Sequence, residues 1–407
     1  MAIIFPAFPR AAGWIILAAL AVQPAAAQTV RDLAVPDLLA QGEAAESQGD
    51  IAAARAFYLR GAQTGAAAAQ TSLGTLLFNH SNGPDDDAEA LRWYRAAAAQ
   101  GYPPGQNSLG ILTLNGWGVP ADAKEAVRLF ALAAEAGWLD AMNSLAYAYD
   151  TGTGVTQDIA AALKWYRAAA ERGYALAQYS LGVLTLRGRG VKANAAEAAA
   201  WFRLGAEQGE PGSQTELGKL YRLGQGVKQD GAEALRWLRL AAGQKNAQAM
   251  RWIGAMYENG NGIPKDFAQA LDWYRRAVAL DDAGAMDALG GLYEDGSGVP
   301  PDVTEAVRWY RRAAEMGHPG AQTALGTHLL DGNGVIRNEA EGLGWLRAAA
   351  NQGDALAQLS LGVAFVQGRG VGQDMREAAR WLRMAQLGDD PDARAAAITW
   401  LNRIGGR

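Results

Sequence analysis

From Ala247 to Asp282 the apolar positions pass through two helical periods separated by a turn. In AQAMRWIGAMYENG, Ala249, Ile253, Met256 and Tyr257 share one face of a helix, termed helix A. In DFAQALDWYRRAVAL the apolar stripe returns at Ala270, Leu271, Trp273, Tyr274, Ala277 and Val278, which predicts helix B. A loop with two glycines joins the helices, and such loops begin at Gly116, Gly152, Gly188, Gly224, Gly260, Gly296, Gly332 and Gly368. Every step is 36 residues, without insertion or deletion. A constant period in this range predicts stacked helix hairpins in one elongated array.

A glycine loop such as Gly296-Ser297-Gly298 cradles a phosphate when it occurs once, directly after a strand, because its amides must converge on one ligand. Eight copies between helices read instead as helix stops and tight turns that need positive φ. Helix B is expected to open on an Asp or Asn cap, at Asp50, Asp86, Asp122, Asp158, Asn194, Asp230, Asp266, Asp302, Asn338 and Asp374. Three positions on stand Glu89, Glu125, Glu197, Glu233, Gln269, Glu305, Glu341 and Glu377, the spacing of a capping box. Capping accounts for these carboxylates more simply than a glycosidase pair does.

Inside helix A a further glycine column includes Gly110, Gly182, Gly218, Gly254 and Gly290, where glycine costs about 1 kcal/mol against alanine. Close approach by the Trp and Tyr of a helix B is therefore expected. The Trp column (Trp93, Trp165, Trp201, Trp237, Trp273, Trp309, Trp345, Trp381) reads as core. The Arg ladder two positions later reads as a salt-bridged surface.

Composition narrows the function. The chain has 407 residues, a formal charge of −5 and a pI near 5.4, which argues against a nucleic-acid partner. There is no Cys, hence no lipid-anchored cysteine and no disulfide framework, and stability must come from helix packing. At the N-terminus Arg10 precedes an apolar run from Ala11 to Val22 and small residues Ala25-Ala26-Ala27. Residues 1–27 thus read as a bacterial secretory signal peptide, with the mature chain beginning near Gln28 in the periplasm and no stable membrane insertion after cleavage. An uncleaved anchor is the other reading of the same segment. His80, His318 and His328 lack ligand spacing, so no metal, cofactor or catalytic residue is expected, and the chain reads as a monomer.

The unit resembles the Sel-one-like repeats (SLR), relatives of tetratricopeptide repeats. The residues that carry the resemblance are Ala285, Leu289, Gly290, Tyr293, Gly296, Gly298, Val299, Asp302, Ala306, Trp309, Tyr310, Ala313, Ala314 and Gly317. Nine units fit between residues 66 and 388, preceded by a divergent capping repeat within 28–65 and followed by a capping helix and tail at 389–407. Departures are local: His80 and Asn82 replace loop glycines, Ala146 the helix-A glycine and Leu129 the Trp. The resemblance implies an all-α, right-handed α-solenoid of about ten 36-residue helix-turn-helix repeats. It also implies a scaffold that binds a protein or peptide, as an adaptor or regulator in the envelope. An envelope glycan-binding protein or hydrolase is the alternative, and it predicts a deep polar pocket with clustered carboxylates. The β-lactamase label of some cysteine-rich relatives finds no support in these residues, since paired Cys and Ser-x-x-Lys are both missing.

Specificity should lie in columns that the fold leaves free. Three positions of helix A, at i, i+4 and i+7, vary most and share one face. The candidate partner-binding residues there are Tyr179, Val183 and Leu186 for an apolar ligand, then Lys219, Arg222 and Arg251 for an acidic one, and Glu258. Trp252, off the core columns and next to Arg251, joins them. Packing of the apolar positions against neighbouring helices is the competing reading.

Overall fold

The structure, a computed structural model, describes residues 34–405 apart from Asn82. The segment read as a signal peptide lies outside the described residues. All 21 elements described are helices. The chain divides into two compact units, residues 1–208 and 209–407. In the first, the described helices form five hairpins, from Val35–Ser47 with Ile51–Gln63 to Ala175–Arg187 with Ala195–Glu207. The second holds five more, from Pro211–Leu223 with Gly231–Gly243 to Ala355–Gln367 with Met375–Gln386, and ends in the helix Pro391–Gly405.

The hairpins close on the helix-A glycine, with Ala146 in its place in the helix Leu139–Thr151, but the side chain lying there is the residue after the Trp column. A Cβ on Gly254 would stand 2.7 Å from the Tyr274 ring, and one on Gly182 would stand 2.6 Å from Phe202. Tyr274 and Phe202 are among the largest fully buried side chains. The Trp column is more exposed than expected: Trp237, Trp273 and Trp381 are buried, whereas Trp93, Trp165, Trp201, Trp309 and Trp345 are half-buried. Several of these rings lie under guanidinium groups, as with Arg276 Cζ 3.9 Å from the Trp273 centroid and Arg312 Cζ 4.9 Å from that of Trp309. A rotation of 100° per residue separates a Trp from its successor, so only one of the two can point at helix A. The smaller side chain fits the glycine notch.

The first hairpin obeys the same rule without the glycine loop. Tyr58 packs against Gly42, 16 positions earlier, where the later repeats have a spacing of 20, so its loop is four residues shorter.

At the loops, Gly296 and Gly298 have φ of 69° and 76°, as the turn reading requires. Gly298 also meets the neighbouring hairpin, since a Cβ there would lie 2.6 Å from Phe267 Cβ. The caps are formed as expected at Asp50, Asp122, Asp158, Asn194, Asp230, Asp266, Asp302, Asn338 and Asp374. Asp86 departs, because its helix starts earlier, at Pro84.

The reciprocal half of the capping box is replaced by another bond. The amide of Asp302 donates to Tyr293 O at 2.8 Å and that of Asp266 to Tyr257 O at 2.9 Å, which ties the start of helix B to the end of helix A. The glutamates three positions on turn instead to arginines, as Glu125 does to Arg128 at 2.7 Å and Glu305 to Arg308 at 3.0 Å.

Glutamines, one buried and one exposed in each pair, link successive hairpins. Gln208 donates to Gln178 Oε1 at 2.8 Å, and Gln178 donates to Ala170 O of the preceding hairpin at 3.1 Å. Gln352, Gln322 and Ala314 repeat the relay. In the Arg ladder, Arg311 reaches Glu341 at 2.6 Å and Arg239 the Tyr257 hydroxyl at 3.1 Å, in keeping with a structural surface.

Two tests follow from the backbone. Gly254→Ala should lower the stability by about 1–3 kcal/mol through overpacking against Tyr274, whereas Gly344→Ala, in open space on an exposed helix, should raise it by up to about 1 kcal/mol. Paired urea melts give the two signs. Lys245 and Asp281 occupy the turn position where other repeats have glycine and carry φ of 61° and 56°. Lys245→Gly and Asp281→Gly should each stabilise by about 1 kcal/mol, read as a rise in the midpoint of thermal unfolding.

Candidate functional face of helix A

The candidate residues fall in both units. In the first, Tyr179 is half-buried with its ring 6.1 Å from Phe202, and Leu186 is also half-buried. Val183 departs from the expected exposure: at 9 % it packs inside, whereas Lys219, Ala255 and Val363 at the same column are half-buried and Thr327 is exposed. Beside Leu186 on the i+7 column stands Asp150, a buried carboxylate 2.9 Å from Arg189. Burial pushes the Asp150 carboxyl up, and Arg189 opposes that shift.

In the second unit the face begins with cations gathered on one indole. Lys219 Nζ, Arg222 Cζ and Arg251 Cζ lie 5.5, 4.7 and 5.2 Å from the Trp252 ring centroid. Lys219 is paired with Glu216 at 2.7 Å, and Arg251 Nε lies 2.9 Å from Asp282. Arg222 donates to the amide oxygen of Asn261 at 3.3 Å. Burial lowers the Arg222 pKa, as expected where a cation is stripped of water.

Next come acids, and the core explains them. The Glu258 carboxylate accepts the Tyr274 hydroxyl, and Glu294 accepts that of Tyr310 at 2.8 Å. Glu46 does the same for Tyr58 at 3.1 Å. Burial and then the carboxylate raise the pKa of Tyr274 and Tyr310. Where the notch holds Phe202, Leu238, Leu346 or Leu382, the i+7 position carries Leu186, Arg222, Leu330 or Val366 instead. A buried phenol needs an acceptor, and helix A supplies it at the i+7 position for Tyr58, Tyr274 and Tyr310; Tyr94, whose i+7 residue is Phe78, donates to Thr75 Oγ1 at 3.0 Å instead. Glu294 also faces His328 Nε2 at 3.3 Å, while His328 Nδ1 faces Asn333 O at 3.0 Å. Asp287 lies 3.6 Å from His318; burial raises its pKa and His318 opposes the rise.

The face ends in an apolar cleft of about 200 Å³ walled by Leu330, Leu359, Val363 and Ala364, with Trp400 of the last helix and Arg369 at its side. A larger cleft of about 480 Å³ in the first unit is lined by Arg167, Val191, Lys192, Ala193, Asn194 and Glu197. Neither cleft brings two carboxylates together.

Between the loop glycines the sequence pointed only to Trp117, as a cover for its neighbour; the structure gives that position a wider role. Arg189 reaches Asp150, Asn261 reaches Arg222, Arg369 reaches Asp331 at 2.7 Å, and the Trp117 ring lies tilted against Phe78 with centroids 5.1 Å apart. Each borders the end of the preceding helix A. The signal was its variability between two constant glycines, which marks a position exempt from the turn.

A model of the Sel1 repeat matches residues 67–102, 103–138, 139–174, 175–210, 211–246, 247–282, 283–318, 319–354 and 355–385. The chain is 31 % identical to c5321, a protective antigen present in uropathogenic Escherichia coli strains that displays an SLR fold. That match covers 92 % of this chain and 88 % of the other, with a TM-score of 0.53. A Sel1 repeat protein from Oxalobacter formigenes is 29 % identical over 83 % of this chain and 96 % of its own, also with a TM-score of 0.53. No curated protein matches the chain.

The phenol rule has a direct test. Glu258→Leu should cost about 1–3 kcal/mol by orphaning the Tyr274 hydroxyl, and adding Tyr274→Phe should restore most of that loss. A double-mutant cycle in urea measures the coupling; additive losses would remove the structural role assigned to Glu258.

Proposed function

Because the chain belongs to the Sel1 repeat family, we propose that it is an exported scaffold that binds a segment of another protein along the helix-A face, as an adaptor or regulator in the bacterial envelope. The N-terminal segment, with Arg10, an apolar run and Ala25-Ala26-Ala27, supports export to the periplasm. The observation that carries the binding role is the contrast between columns. Glycine, cap and core positions recur with little change, whereas the helix-A face of the second unit runs from cations on Trp252 to an apolar cleft beside Trp400. Trp252, Leu359 and Trp400 rest on the core and keep part of their surface open, and together they offer a polar and an apolar anchor.

Affinity capture from envelope extract with the tagged full chain tests this reading beside Thr327→Trp and Leu359→Glu. Thr327 is exposed and Leu359 half-buried in the cleft, so both variants should keep the parent's helical circular dichroism. A protein retained by the parent and reduced at least about tenfold by both variants is expected. Equal capture by all three would reject the face.

A further inference from the structure

We propose that the cationic cluster on Trp252 is a carboxylate-recognition site, at which the docked segment presents a glutamate or aspartate side chain. The inference deepens the helix-A reading and rests on it.

Three positive side chains within 6 Å of one ring repel one another, and such a grouping persists when counter-ions are supplied. Glu216 supplies one to Lys219, and Asp282 supplies one to Arg251. Among the described residues no ion pair is formed by Arg222; its polar partner is the neutral Asn261. A half-buried guanidinium without a counter-ion is an unfavourable arrangement that an incoming carboxylate relieves.

The donors are present as well. Arg222 Nε and Trp252 Nε1 are buried without a hydrogen-bond acceptor. A small swing of the three cationic side chains, which retain partial exposure, opens these donors to a carboxylate that the guanidinium fork fits.

The core gives Arg222 no other task. At the same column Glu258 and Glu294 are held there by the phenols of Tyr274 and Tyr310, but the notch residue beneath Arg222 is Leu238, which has no polar atom to satisfy. The contacts Arg222 does make, with the neutral Asn261 and the Trp252 ring, supply no counter-charge, in a chain whose net charge is −5. Cation–π contact with Trp252 holds it in place and leaves its charge unpaired.

Fluorescence anisotropy with three rhodamine-labelled nonapeptides tests the site on the full chain. The first carries two glutamates among leucines and alanines with both ends blocked. The second replaces the glutamates by glutamines, and the third is the glutamine peptide with a free C-terminal carboxylate. The glutamate peptide should bind about tenfold more tightly than the blocked glutamine peptide, and Arg222→Gln should abolish that preference. Arg308→Gln, which alters an exposed ion pair on helix B, should leave it intact.

Equal binding of the two blocked peptides, or a preference that survives in Arg222→Gln with unchanged circular dichroism, would overturn the proposal. Preference for the free chain end alone would overturn the side-chain assignment. Should Thr327→Trp and Leu359→Glu abolish capture while the peptides bind alike, the docking face stands and the carboxylate site falls. Should capture be indifferent to those variants while the Arg222-dependent preference holds, the site stands and the extended face falls.

Discussion

All but one of the described hairpins depend on one contact, a large side chain of helix B lying on the bare backbone of helix A; the exception carries Ala146 there. Gly254 beneath Tyr274 and Gly182 beneath Phe202 bring the helix axes closer than a Cβ would permit. Helix propensity alone opposes glycine there. The loss is offset by burying a ring that dispersion and the hydrophobic effect reward, worth about 1.5–3 kcal/mol for a fully buried large side chain. The loop, the cap and the bond from the cap amide to helix A then follow, because they fix the two helices at the separation that the contact demands.

The chemistry of that one side chain sets the polarity of the surface above it. A phenylalanine or leucine in the notch asks nothing of its surroundings. A tyrosine carries its hydroxyl toward the far face of helix A and requires an acceptor, which Glu258, Glu294 and Glu46 provide. Acidic residues on the candidate face are thus partly commitments of the core. The cations around Trp252 and the cleft beside Trp400 have no such origin, and this separation of structural from free polarity isolates the residues to which binding is assigned.

Much of the fold was legible because it is written repeatedly. The period, the helix pairs, the loop glycines and nine of the ten caps each follow from local rules applied to eight or more copies. What escaped the sequence concerns direction. Trp and its successor are both large and apolar, and only the helix rotation decides that Tyr274 enters the notch while Trp273 turns toward Arg276. Val183 looked free because its column varies, yet its neighbours bury it. Glu341 seemed half of a capping box, but its partner amide was already engaged and the carboxylate turned to Arg311. Lys219, Arg222, Arg251 and Trp252 were picked out individually; their convergence on one ring requires three dimensions.

The glutamine relay bears on how such an array can change its length. Gln178 and Gln208 lie in one repeat, and so do Gln322 and Gln352; their onward bond is to a main-chain carbonyl that any preceding repeat offers. Other repeats hold Met250 with Leu280 or Met286 with Met316 at these positions. Genetic exchange at a repeat boundary keeps each pair whole. A crossover within a hairpin would remove the bond between the two glutamines but leave the buried one tied to the preceding carbonyl, as Gln358 is to Ala350 O with Gly388 at the partner position. Duplication of whole 36-residue units therefore keeps both bonds of each pair and preserves an unbroken register.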